Sequence, residues 1–437
     1  MSESERREVR VVIRNVRSFI GTHSIRLAPL TILVGENSSG KSTFLATLSS
    51  ILSRGFPLRP AFSKRPFELG GFSTIVTRSR IRAKRLDEFT MGMSEGEKGS
   101  QTYSEVLASY VGVKDRPTFS KLAISNQLGT VELLRNGKTI SADVRLTGDT
   151  TERIVFEVRS NIATHYDDLP SVLVQAIVNE RMRLKQPPPP NSVIQKMFEA
   201  TTKLDFLGRS MRSVAPIRTK PRRIYDGLAD EFSPEGDHIP PLLARAIADV
   251  EGDRDDQLRA TLALFGRNSG LFRNVDIRTL GDQPSAPFQL LARMAGVTAN
   301  MTDVGYGVSQ VLPVLVECLT MPHSGGVLAL QQPEVHLHPR AQAELGSMCA
   351  DVVSVKPKST LIVETHSDYL LNRVRRKVAE KKLAPRDVSL LFFEKREAAT
   401  KVHHVDLDDF GNLVNAPKAY RAFFVSEELD LLSRGDA

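Results

Sequence analysis

Cysteine is nearly missing from this sequence. Cys318 and Cys349 are the only two, too few for a disulfide framework or a cysteine-based zinc site. Nowhere do apolar residues run to the roughly 18 in a row that a membrane span needs. The N-terminus, MSESERREVR, is charged and lacks the apolar core of a secretory signal. There is no internal repeat, and no heptad run long enough for a coiled-coil arm. These absences lead us to expect a reduced, cytoplasmic protein with no membrane segment. The chain has 437 residues with 41% apolar and 25% charged residues, the make-up of an ordinary globular protein with room for one large domain or two smaller ones.

Basic residues (59) exceed acidic ones (51), a mild excess compatible with nucleic-acid binding but not demanding it. Its distribution says more. From Arg54 to Arg85 there are nine basic residues and one acid, Glu68. Within that stretch Arg78, Arg80, Arg82 and Lys84 alternate with small or apolar residues. As a strand, the segment has one face carrying four cations, which suits either a nucleic-acid backbone such as DNA or plain solvation.

Val9 to Val16 and Leu30 to Val34 read as strands, the second a continuous apolar run suited to burial on both faces. From Thr43 to Leu52, Phe44, Leu45, Leu48, Ile51 and Leu52 recur at helical spacing. Short strands and turns follow from Phe72 to about Val158, including an Asn136-Gly137 turn. Near residue 160 the pattern becomes helical, at Pro170 to Lys185, Ile194 to Lys203 and Pro241 to Phe265. Four prolines, Pro187 to Pro190, and the basic loop Pro216 to Arg223 punctuate it. The last third returns to apolar strands separated by helices, at Val327 to Leu330, Thr360 to Val363 and Val388 to Phe393, which argues for a parallel sheet.

The strongest motif closes the Leu30 to Val34 strand. Gly35-Glu36-Asn37-Ser38-Ser39-Gly40-Lys41-Ser42 fits G-x-x-x-x-G-K-[ST] in full, and Thr43 opens the helix behind it. Glycines let the backbone turn its N–H groups inward on phosphate oxygens, helped by the helix N-terminus. Lys41 suits the β- and γ-phosphates, and the Ser42 hydroxyl suits magnesium. Much later, Val327 to Leu330 runs into Gln331-Gln332-Pro333-Glu334-Val335-His336-Leu337-His338-Pro339, where a Walker B strand is expected. Leu361-Ile362-Val363 ends in Glu364-Thr365-His366-Ser367, and Asp303 to Pro313 contains Gly305, Gly307 and Ser309 ahead of an apolar helix.

Together these segments resemble the ABC-type ATPases of the RecF, SMC and OLD-like group, over nearly the whole chain. The match includes Ala215-Pro216-Ile217-Arg218 and the tail pair Phe423-Phe424. The resemblance implies an α/β P-loop NTPase, an ABC-type ATPase head with a mostly helical insertion. Its parts would be residues 1–159 and 276–437 for the head and 160–275 for the insertion. It implies ATP and Mg2+ as cofactors and His366 as the switch histidine. It also implies that His336 to Pro339 form the D-loop at a dimer interface, and that Gly305, Gly307 and Ser309 form the signature that caps a partner's nucleotide.

In that family the Walker B strand ends in two acids, one for magnesium and one to polarise the attacking water. Here Gln331 stands at the metal position and Gln332 at the water-polarising one, within the nucleotide site. An amide has no negative charge and is not a base. Glu334 and Glu364 are the carboxylates placed to substitute. His336 and His338, without a third ligand, point to an interface loop rather than zinc.

The expectation is therefore an ATP-hydrolysing enzyme, slowed by its two glutamines. It would form an ATP-sandwiched homodimer or higher oligomer that regulates or scaffolds a nuclease or toxin partner in bacterial anti-phage defence. About 70 residues follow His366, too few for a Toprim nuclease domain. The rivals are a DNA-binding RecF-like repair ATPase and a non-hydrolysing module in which Gln331 and Gln332 trap ATP.

Overall fold

The computed structural model describes residues 8–78, 86–100, 102–137, 139–147, 150–157, 169–201, 206–226, 231–248, 253–283 and 286–420. It opens with β1 (Val9–Val16), β2 (Phe19–Leu27), β3 (Leu30–Gly35) and helix α1 (Lys41–Ile51). Short strands β4 (Ser63–Lys64) and β5 (Phe67–Glu68) pair with each other ahead of the single turn α2 (Phe72–Ile75). Six strands follow: β6 (Glu88–Glu95), β7 (Ser104–Val113), β8 (Arg116–Asn126), β9 (Gly129–Asn136), β10 (Thr139–Leu146) and β11 (Thr150–Glu157). Next come helices α3 (Leu169–Arg183) and α4 (Asn191–Thr201), strand β12 (Met211–Val214), and helices α5 (Ile239–Ala248) and α6 (Asp253–Ser269). Beyond them lie β13 (Asn274–Thr279), β14 (Phe288–Arg293), β15 (Thr298–Asn300) and α7 (Tyr306–Thr320). The last elements are β16 (Val327–Gln331), α8 (Pro339–Val355), β17 (Thr360–Glu364), α9 (Asp368–Ala379), β18 (Val388–Arg396), β19 (Ala399–Leu407) and β20 (Leu413–Val414).

Two compact units divide the chain. One takes Met1–Leu27, Glu36–Met211 and Phe393–Val402; the other takes Ala28–Gly35, Arg212–Phe392 and His403–Ala437. The stretch 160–275, expected as one helical insertion, holds α3 to α6 and β12, and it is shared between the units at Met211. The helical run expected over Pro241 to Phe265 is two helices, α5 and α6.

In the first unit an eight-stranded sheet runs β11-β10-β9-β8-β7-β6-β1-β2, with every pairing antiparallel. Alternation builds it. Val106, Ala108 and Tyr110 of β7 point inward and are fully buried, as are Ala142 and Val144 of β10. Each buried Val or Leu contributes roughly 1.5–3 kcal/mol relative to exposure. Asn136-Gly137 does turn the chain, at the β9–β10 hairpin, with Gly137 at φ +63°. Strand β2 was not expected. Its centre, Gly21-Thr22-His23-Ser24, is polar and largely exposed because it forms the edge of the sheet.

The second unit is built on a seven-stranded sheet, β12-β16-β17-β3-β18-β19-β20, whose hairpin end at 393–402 is counted with the first unit. Strands β16, β17 and β3 are parallel and buried along their whole length, as their continuous apolar runs require. The parallel sheet read from sequence is present here. A separate antiparallel sheet, β13-β14-β15, was not expected. Helix α7 lacks a glycine C-cap; the Lys356 ammonium instead donates to the carbonyls of Cys318, Leu319 and Met321. Among the described residues no helix is long and apolar enough to cross a membrane.

Candidate nucleotide site

In the first unit, α1 starts directly behind the phosphate loop. Its N-cap is Gly40, at φ +109°, which has no side chain to cap the first turn, as suits a helix N-terminus that faces an anion. Lys41 is buried and its ammonium donates to the Glu36 carbonyl at 2.8 Å. Ser39 is also buried, and its hydroxyl has no hydrogen-bond partner among the described residues. Ser38 sits in the left-handed region at φ +61°, as a tight phosphate loop requires. Phe44 in the first turns of α1 packs on Phe393, with centroids 5.8 Å apart, anchoring the helix that carries Lys41, Ser42 and Thr43.

In the second unit the register fixes a row of strand ends. Gln331 on β16 pairs with Glu364 on β17, and Glu364 pairs with Leu33 on β3. Two residues further, β3 ends at Gly35, and Glu36 begins the phosphate loop. Gln331, Glu364 and Gly35 thus end parallel strands at one edge of one sheet, where open α/β sheets bind ligands. The Gln331 amide donates to Glu364 Oε2 at 3.4 Å, and both side chains are buried.

Past Gln331 the chain turns sharply. Gln332 and His336 both adopt positive φ, +43° and +68°. The turn is held by the Gln332 N–H donating to the Glu364 carbonyl at 2.8 Å. It delivers Glu334 to the end of β17, where Oε1 accepts the His366 backbone N–H at 2.7 Å. Burial raises the Glu334 pKa above the ordinary carboxylate range, opposed by that N–H and by the nearby Arg218 charge. Glu334, Glu364 and His366 are therefore brought together, with His366 half-buried and its ring Nε2 buried. Ser367 caps α9 by accepting the Leu370 N–H.

Gly305 is the N-cap of α7. A Cβ on Gly307 would lie 2.7 Å from the His336 carbonyl, so only glycine allows this approach. The Tyr306 ring meets His336 edge-on at 4.9 Å. The expected signature and D-loop segments are thus packed side by side. Ser309 is buried and donates to the Tyr306 carbonyl at 2.9 Å. His338 caps α8 ahead of Pro339.

Arg218 was not among the expected site residues, although its loop was noticed. Its loop is pinned by the Ala215 and Thr219 N–H groups donating to the carbonyls of Pro234 and Glu235. Arg218 itself is 3% exposed. Nη2 donates to the carbonyls of Gln331 and Gln332 at 3.3 and 3.1 Å, while Nε and Nη1 have no partner among the described residues. Burial pulls its pKa down to about 10, with Glu334 pushing the other way. Its segment, Ala215 to Arg218, belongs to the family resemblance, but neither periodicity nor spacing gives Arg218 a role.

Among the described residues no group of three or more His, Cys, Asp or Glu forms a metal cage. Magnesium that arrives with nucleotide phosphates needs only one or two protein carboxylates and a hydroxyl. In the second unit Glu364 and Glu334 offer such carboxylates and the Gln331 amide adds only a neutral oxygen; in the first unit Ser42, at the start of α1, offers such a hydroxyl. Of the basic stripe, Arg80, Arg82 and Lys84 lie outside the described residues, and Arg78 is exposed. Phe423 and Phe424 also lie outside them.

A family model described as "AAA domain, putative AbiEii toxin, Type IV TA system" matches residues 137–372, more than half of the chain. A second, described as "AAA domain", matches residues 10–200. No match is found among curated proteins. Among solved structures, the chain is similar to an SMC head bound to the C-winged helix domain of ScpA. Identity there is 10% and the TM-score 0.44, over 91% of this chain and 97% of that one. It is also similar to the SMC head domain from Thermotoga maritima, at 12% identity and TM-score 0.39 over 92% and 100% of the two chains. For an SMC head with an extended coiled coil from Pyrococcus furiosus, bound to the C-terminal domain of ScpA, the figures are 10%, 0.41, 98% and 99%. With the phosphate loop on α1 and the strand ends of a mixed α/β sheet in view, the chain belongs to the AAA-domain family of the first model and is a P-loop ATPase.

Proposed function

We propose that this protein is a dimerising ATPase whose hydrolysis is carried by Glu334 and Glu364 in place of the two Walker B acids that Gln331 and Gln332 replace. The reading rests on one observation: two buried carboxylates flank the ends of β16 and β17, and Glu334 is held by the backbone of the switch-histidine residue. Glu364 takes the magnesium role together with Ser42 and the Gln331 amide oxygen. Glu334 accepts a proton from the attacking water, and His366 hydrogen-bonds the γ-phosphate. Gly35 to Thr43 bind ATP, with Gln332 beside the nucleotide, and Gly305, Gly307 and Ser309 of a second copy cap its γ-phosphate.

ATP binding then favours a closed dimer, and hydrolysis reopens it, which makes nucleotide state a switch. The output we assign is control of a separate nuclease or toxin protein in anti-phage defence. The words of the matched family's description, a toxin and a toxin–antitoxin system, lean the same way. The DNA-binding reading rests on a stripe of which only Arg78 is described, so it gains nothing further.

Light scattering tests the switch. With ATP and magnesium, Glu334→Gln is expected to double in mass, and with ADP it is expected to return to the nucleotide-free mass. The same mass in both nucleotides contradicts the sandwich mechanism.

A further inference from the structure

The phosphate loop is gripped from a strand that no motif identifies. Thr400, the second residue of β19, is 4% exposed. Its backbone N–H donates to the Ser18 carbonyl at 2.8 Å. Its Oγ1 lies 2.8 Å from the Ser39 carbonyl and 2.7 Å from Ser18 Oγ. A hydroxyl has one proton and a carbonyl only accepts, so Thr400 donates to Ser39 and receives the proton of Ser18. The chain of bonds runs from the β1–β2 turn through β19 into the loop, all within the first unit.

The direction of that bond matters. In a trans peptide the C=O and N–H point to opposite sides. Holding the Ser39 carbonyl toward Thr400 therefore turns the Gly40 N–H away from Thr400. That N–H belongs to the last peptide before α1, where loop and helix N–H groups together form an anion cradle. Contact reinforces the bond. A Cβ on Gly40 would lie 2.6 Å from Thr400 Oγ1 and 3.3 Å from the Phe19 ring. Only glycine fits at this position while Thr400 holds its place.

We infer that Thr400 is a positioning residue for nucleotide binding, fixing the Ser39–Gly40 peptide so that the Gly40 N–H is pre-aimed at a phosphate of ATP or ADP. Thr400 touches no nucleotide itself. Its hydroxyl takes the place of the reorganisation that binding would otherwise have to drive. This inference rests on nucleotide binding at the phosphate loop.

Calorimetric titration of the full chain with ATP and with ADP tests it, using wild type, Lys41→Ala, Thr400→Val and Thr400→Ser. Wild type is expected to bind both nucleotides, and Lys41→Ala neither. Thr400→Val keeps the shape and loses the hydroxyl, and should bind both about tenfold more weakly; Thr400→Ser should stay within roughly threefold of wild type. In turnover the Thr400→Val defect should appear in KM, with kcat within about twofold. Should Thr400→Val not fold, Ser18→Ala decides, with an expected loss of roughly threefold for both nucleotides. Failure of wild type to bind sinks the nucleotide reading itself. Wild-type affinity in Thr400→Val or in Ser18→Ala, or equal losses in Thr400→Val and Thr400→Ser, overturns the role of Thr400 alone.

Discussion

Replacing Glu334 with Gln is expected to lower steady-state ATP hydrolysis by at least about 100-fold while leaving ATP affinity within a few-fold of wild type. The change is nearly isosteric, and the amide oxygen can still accept the His366 N–H, so folding and nucleotide binding are spared. What is lost is the group that takes the proton. Glu364→Gln should be equally damaging by another route, because the Gln331 amide then faces a second amide and the strand ends carry one negative charge fewer. Raising magnesium should recover part of the Glu364→Gln defect and none of the Glu334→Gln defect. The pH profile separates them further. Burial holds the Glu334 pKa above the ordinary carboxylate value. Glu334 must be ionised to act as a base, so the wild-type rate should fall as pH drops through that raised pKa and be flat above it. Undiminished turnover in both variants would contradict the assignment of hydrolysis to Glu334 and Glu364.

Arg218→Met should be the most damaging change that touches no motif. The guanidinium is buried, ties two consecutive Walker B carbonyls, and supplies positive charge beside the Glu334 carboxylate. Its removal leaves two buried carbonyls without their side-chain donor, which costs about 1–3 kcal/mol. Thermal unfolding should shift down by several degrees, and turnover should fall because the turn that carries Glu334 loses its tie at the Gln331 and Gln332 carbonyls. Arg218→Lys keeps the charge but reaches the two carbonyls with a single compact ammonium in place of a planar fork, so an intermediate result is expected. A melting curve unchanged in Arg218→Met contradicts the structural half of this prediction. An unchanged turnover contradicts the other half.

These two residues mark what the sequence does and does not disclose. Glu334 lies in a contiguous motif on a recognisable strand, and so do Lys41, Ser42, His366 and the signature glycines. Local spacing singles out Lys41 and Ser42, because strand, turn and helix are nearest-neighbour structures; His366 and the glycines stand out through the family resemblance, and Glu334 as a carboxylate beside the two glutamines. Arg218 meets Gln331 across 113 residues, and Thr400 meets Ser39 across 361. Contacts of that length leave no periodicity to read. The same limit applies to the fold. The apolar runs of β3, β16 and β17 announced themselves as buried parallel strands. The edge strand β2, whose centre is polar and exposed, did not. The helices of 160–275 were visible from their spacing, but their division between two units depends on packing that spacing does not encode.

The central claim is that hydrolysis survives the loss of both Walker B acids. Its most direct test is steady-state phosphate release by the wild-type protein beside Lys41→Ala, at saturating ATP and magnesium. The account predicts turnover in wild type well above the Lys41→Ala background. Tight ATP binding with phosphate release no faster than Lys41→Ala would contradict it, and would leave Gln331 and Gln332 as the residues that trap ATP unhydrolysed.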